Sequence, residues 1–234
     1  MAASVPAGVQ SISQLSTRTK VVVMAGTLLG LFTAAMDQTV VGTSLPRIVA
    51  SFGDLGLFPW VFTSFMVAST TTVPIVGKLT DLFGRKPFYI AGVAILLLGS
   101  ALAGSSQNME QLIAFRAVQG LGAGMIMGIA FAIIGDVFPP AERGKWAGLM
   151  TGVFASASVL GPLSGGALTD HVNWRWVFYV NLPLGSVALL VLFFGMPAIR
   201  PVSRPKLDYR GIVLLVATVV PALLAFSWAG SRYD

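Results

Sequence analysis

An aspartate and an arginine, Asp37 and Arg116, each interrupt a hydrophobic run long enough to cross a bilayer. On insertion scales a charged side chain at the membrane centre costs roughly 2.5–3.5 kcal/mol, so such a residue faces a partner or a watery cavity. Two chemistries fit a carboxylate and a guanidinium so placed. One is a titratable acid in the wall of a transport cavity, and the other is an intramembrane ion pair that only orients two helices. Asp37 lies about seven residues from the outer end of its run, and Arg116 about six residues into a run entering from the outside, so both sit roughly 10 Å deep. They can meet, or line one cavity.

Helical spacing places Thr33, Asp37, Val41 and Ser44 on one face of the first run. Arg116, Gln119, Gly120, Ala123, Met127 and Phe131 likewise share a face of the fourth. Thr33, Val41, Met127 and Phe131 are therefore candidate cavity-lining residues, with the adaptable side chains of Met127 and Phe131 suited to amphiphilic substrates.

The elements that must position these residues are membrane helices. Of 234 residues, 55% are hydrophobic and only 10% charged, against about 25% charged in ordinary globular domains. A spanning helix needs about 20 mainly apolar residues, and seven runs qualify: 21–44, 58–77, 88–106, 110–135, 147–169, 176–197 and 211–229. The predicted organisation is a disordered tail (1–20), a six-helix bundle (21–199), a basic linker (200–210) and a seventh transmembrane helix with its outer end (211–234). A signal peptide over 21–35 fits poorly, because the apolar stretch continues past Asp37 to Ser44.

With the N-terminus inside, the inner loops collect Arg18, Lys20, Lys78, Arg85, Lys86, Arg143, Lys145, Arg200, Arg204, Lys206 and Arg210. The outer side keeps only Arg47, Arg175 and Arg232. The positive-inside rule thus predicts a cytoplasmic N-terminus in a plasma or inner membrane. The net charge of +6 is matched to anionic inner-leaflet lipid rather than to nucleic acid. With no cysteine and a lone His171 in a loop, the chain offers no disulfide and no metal centre. Neither a nucleophile with its base nor a phosphate loop is present, so enzyme function and a bound cofactor are not expected.

Further motifs fall at helix ends and seams. In Gly77-Lys78-Leu79-Thr80-Asp81-Leu82-Phe83-Gly84-Arg85-Lys86, Gly77 permits close helix approach, Gly84 suits a positive φ, and Asp81 can pair with a loop arginine. Gly120, Gly124 and Gly128 form a small-residue stripe, open to either static packing or helix sliding. Gly161-Pro162 followed by Gly165-Gly166 marks a possible kink in the fifth helix. Trp174, Trp176, Phe178 and Tyr179 form an aromatic belt, with Arg175 snorkelling or paired with Asp170. Asn181 and Pro183 are expected to break the early part of the sixth helix.

The strings AAMDQTVVGTSLPRI, GKLTDLFGRK, LIAFRAVQGLGAG, GPLSGG and WRWVFYVNLPLG together resemble the major facilitator superfamily, and within it the fourteen-helix drug:proton antiporters, over residues 21–234. The resemblance implies an all-α membrane fold, the superfamily's N-terminal six-helix bundle plus a seventh helix. It implies secondary active efflux of amphiphilic or cationic drugs driven by the proton gradient. On this likeness Asp37, Arg116 and Gln119 handle proton and substrate. Gly77, Asp81, Gly84, Arg85 and Lys86 form a cytoplasmic gating loop, and Gly161, Pro162, Gly165 and Gly166 the antiporter motif. The family builds its pore between two six-helix bundles, so the chain reads as truncated, lacking its C-terminal partner bundle and unable to transport alone. A superfamily transporter of a sugar, peptide or metabolite remains open at this stage, as does a non-transporting fragment or half that needs a partner chain.

Overall fold

The computed structural model describes residues 16–53, 55–198 and 209–229. These residues are helical almost throughout: α1 (Thr17–Phe52), α2 (Phe58–Phe83), α3 (Arg85–Ser105), α4 (Met109–Val137), α5 (Pro140–His171), α6 (Trp176–Tyr179), α7 (Asn181–Gly195) and α8 (Tyr209–Ala229). Six helices are long and apolar enough to cross a membrane, with α6 and α7 forming one span, Trp176–Gly195. The chain is a multi-pass membrane protein. The segment 210–225 of α8 is a further, shorter apolar stretch. Most of the linker expected over 200–210, with Arg200, Arg204 and Lys206, lies outside the described residues, as does Arg232.

The helices run past the hydrophobic runs that announce them, because backbone hydrogen bonding continues until a cap stops it. Ser16 caps α1 by accepting from the Thr19 amide at 3.2 Å, so helix begins inside the segment read as a tail. At the other end Gly53 adopts φ 76° and donates to the Val49 carbonyl. Asn108 caps α4 by accepting from the Gln111 amide at 2.8 Å.

The break expected early in the sixth span is present, between α6 and α7, whereas no break falls at Pro162. The fifth helix runs unbroken through Pro162, from Pro140 to His171. In the sixth span the junction falls at Val180, whose φ −61° and ψ −25° remain helical. Pro183 sits in the first turn of α7, where a missing N–H costs no intrahelical bond.

In the packed bundle α4 lies between α2 and α3, α1 lies between α5 and α7, and α8 rests on α2. Small residues set the closest seams. A Cβ on Gly120 or Gly124 would strike the Phe65 or Ser69 carbonyl, and one on Gly128 would come within 3.0 Å of the Val73 carbonyl, so the α4 stripe is the α2 contact. Gly161 and Gly165 do the same for α5 against Thr39, Val40 and Thr43 of α1. Gly77 differs from expectation: a Cβ there meets nothing within 4 Å, so it mediates no close approach among the described residues.

Two apolar clusters fill the interior. One includes Met24, Leu31, Phe65, Tyr89, Leu96 and Ile126. The other includes Val40, Leu45, Ile48, Val61, Leu112 and Phe178. On α1 the change from one to the other falls at Ala34 and Ala35, and on α4 between Leu112 and Ala123. Asp37 and Arg116 therefore sit at the boundary of two apolar layers.

Candidate functional site

At that boundary four spans each bring polar side chains to one point. Asp37 comes from α1, Arg116 and Gln119 from α4, Ser100 from α3 and Asn181 from α7, and all five are fully buried. Arg116 Nη1 donates to Asp37 Oδ2 at 2.5 Å and to Gln119 Oε1 at 3.0 Å. Gln119 Nε2 donates to Asp37 Oδ1 at 2.9 Å and to Ser100 Oγ at 2.8 Å. Asn181 Nδ2 donates to the same Oδ1 at 2.6 Å and to Ser100 Oγ at 3.2 Å. Taking two ions from water into a low-dielectric interior costs several kcal/mol per ion, which good pairing and further hydrogen bonds must offset. Asp37 has three such donors.

Aromatic faces enclose the guanidinium. Its carbon lies 4.2 Å from the Phe65 ring centroid and 6.0 Å from that of Phe178, and Nε reaches the Val61 carbonyl at 3.4 Å. Two buried atoms of the cluster, Arg116 Nη2 and Asn181 Oδ1, have no partner.

Equal depth in neighbouring spans explains the meeting of Asp37, Arg116 and Gln119. Ser100 and Asn181 join them without any comparable sequence signal, being neutral and cheap in a membrane segment. The one available clue to Asn181 was its position beside a helix junction. Of the lining candidates, Thr33 is fully buried with its hydroxyl turned to the Leu29 carbonyl, and Val41 belongs to an apolar cluster. Met127 packs half-buried against the other cluster, and Phe131 is 54% exposed on the surface. These four side chains do not share one open wall.

A second polar cluster closes the α2–α3 turn. Gly84 takes φ 93° and ψ 160°, a conformation reserved for glycine. This turn sets Arg85 to reach back to Asp81 at 2.7 Å, to the Thr80 hydroxyl, and across to Asp136 at the end of α4 at 3.0 Å. Asp136 was not singled out by the sequence, since an acid at a helix end has no apolar context to mark it. Lys86 donates to the Phe193 carbonyl of α7 at 2.8 Å. Arg143 donates to the Gly135 and Phe138 carbonyls left free at the end of α4. Arg85, Lys86 and Arg143 thus tie five spans, α2, α3, α4, α5 and α7, at one end of the bundle.

At the opposite end Arg175 neither snorkels nor pairs with Asp170. It donates to the carbonyls of Gly104, in the last turn of α3, and of Ser106 just past it, while stacking 4.5 Å from Trp174. Asp170 instead faces Arg47 at 3.8 Å, both largely exposed.

The family model described as Major Facilitator Superfamily matches residues 27–231. The chain belongs to the Major Facilitator Superfamily. Its members are membrane transport proteins rather than enzymes. Multidrug resistance protein 3 of Bacillus subtilis strain 168 is 45% identical over 216 residues, covering 92% of the chain and 42% of that protein. Multidrug transporter protein MdtP of the same organism is 40% identical, covering 92% of the chain and 40% of its own length. The human organic anion transporter MFSD10 (TETRAN) shares the fold, with a TM-score of 0.72 at 18% identity, over 86% of the chain and 54% of that structure. The chain thus spans about two fifths of the length of these bacterial relatives.

Proposed function

We propose that this superfamily member forms the N-terminal bundle of a fourteen-helix, proton-coupled antiporter that expels amphiphilic or cationic drugs. One observation carries the reading: a fully buried carboxylate, Asp37, held by Arg116 and Gln119 between two apolar layers. In this proposal Asp37 binds a proton in exchange for the guanidinium or a cationic substrate. Each elementary charge moved across 100 mV supplies about 2.3 kcal/mol. The names of the two bacterial relatives, multidrug resistance and multidrug transporter, favour drugs as the cargo. Asp81, Gly84, Arg85 and Lys86 act as the gating latch in this proposal, with the N-terminus cytoplasmic and the second bundle supplying the other pore wall.

The test is energised efflux of a fluorescent lipophilic cation from cells carrying the full-length transporter, native against Asp37→Asn. Loss of proton-driven efflux at normal membrane insertion is expected. Unchanged efflux would reduce the pair to a structural role. Absence of efflux from the native protein would favour a metabolite as cargo.

A further inference from the structure

We infer that Asn181, set by Ser100, is a positioning residue that steers an incoming proton to one particular oxygen of Asp37; this rests on the antiport reading above. A carboxylate oxygen has two in-plane acceptor sites. On Oδ1 both are filled, by Gln119 Nε2 at 2.9 Å and Asn181 Nδ2 at 2.6 Å. On Oδ2 only Arg116 Nη1 is bound, at 2.5 Å. Protonation at Oδ1 therefore requires expelling an amide, whereas Oδ2 has a free site.

The choice of oxygen decides what the proton does. On Oδ1 it would leave Oδ2 as a carbonyl oxygen, still a good acceptor for Arg116. On Oδ2 it makes the very atom that Arg116 holds into a hydroxyl oxygen, a poor acceptor without the negative charge, so the ion pair is lost, the remaining bond is weakened and the guanidinium is loosened. No covalent bond breaks: one proton binds Oδ2, the carboxylate becomes neutral, and Arg116 keeps its positive charge. The loosened group has Nη2 unpartnered, and Asn181 Oδ1 is an unpartnered acceptor on the neighbouring residue.

Ser100 reinforces the amide orientations that the acceptor-only carboxylate selects. Its hydroxyl oxygen accepts from both Gln119 Nε2 and Asn181 Nδ2, turning each nitrogen, rather than each carbonyl oxygen, toward Asp37. Asn181 also begins α7 directly after the junction at Val180, so the sixth span is tied to the carboxylate through this single amide.

The experiment uses the full-length transporter in proteoliposomes, with proton release and flux of a fluorescent lipophilic cation measured together. Asn181→Leu keeps the shape and removes the donor, and Ser100→Ala removes only the orienting oxygen. In Asn181→Leu the protons exchanged per cation should fall about tenfold, the factor carried by one hydrogen bond to a charged group. Ser100→Ala should lower the ratio less than Asn181→Leu does. A packing role alone would scale both fluxes together, and an unchanged ratio in both variants overturns the inference. Asp37→Asn is run alongside: if it abolishes coupling while the two variants leave the ratio intact, only the Asn181 assignment falls. If it retains proton-driven efflux, the antiport reading falls and the inference with it.

Discussion

At the scale of residues, the pair between Asp37 and Arg116 is a liability unless both members stay. Removing one partner of a buried pair leaves an uncompensated charge and typically costs about 3–5 kcal/mol. Arg116→Gln should therefore lower the melting temperature of the purified chain strongly, while Asp37→Asn/Arg116→Gln, which removes both charges, should recover most of the loss. Thermal unfolding of the two single variants and the double variant gives the coupling energy directly; additive losses would mean that the two side chains do not depend on each other. The sequence exposed this pair because ions stand out against an apolar background. It could not expose Ser100 or Asn181, since neutral polar groups in a span have cheap local alternatives, as Thr33 shows by bonding the Leu29 carbonyl. Their convergence depends on how α3 and α7 are rotated against α1, which no spacing within either helix encodes.

At the scale of elements, seams are made by what is missing from a side chain. The α4 stripe was legible as a small-residue face, but its partner was not, and Gly77 carried the same apparent promise yet packs against nothing. The distinction is tertiary. Gly124→Leu should separate α4 from α2, because its Cβ would meet the Ser69 carbonyl and the side chain of Thr72, neither able to withdraw without moving the helix. Overpacking of this kind costs about 3 kcal/mol at the upper end of the usual range, and it should show as loss of the folded peak in size-exclusion chromatography in detergent. Normal recovery with native melting behaviour would mean that the α2–α4 seam is loose. Helix existence and order were readable from the hydrophobic runs, whereas helix ends were not: Ser16 and Asn108 start helices and Gly53 stops one by local capping that hydropathy does not register.

At the scale of the whole molecule, burial is distributed unevenly. In the apolar window of α4, 61% of residues are buried, against 17% in that of α5. On α5, a Cβ added to Gly148, Gly152 or Gly166 would meet nothing within 4 Å, in contrast to Gly161 and Gly165 on the side packed against α1. A helix that carries small residues on an unoccupied face fits a surface awaiting another helix, and the chain covers only 42% of its 45%-identical bacterial relative. The two faces of α5 should therefore respond oppositely to the same kind of change. Gly152→Leu should leave the melting temperature of the 234-residue chain unchanged or raised, since a helix-interior glycine is worse than an ordinary residue by up to about 1 kcal/mol. In the full-length transporter the same substitution should abolish efflux of the lipophilic cation if, as proposed, a second bundle packs closely on this face of α5. Efflux that survives Gly152→Leu would place the second bundle elsewhere, and a loss of stability in the chain alone would show that this face is already packed.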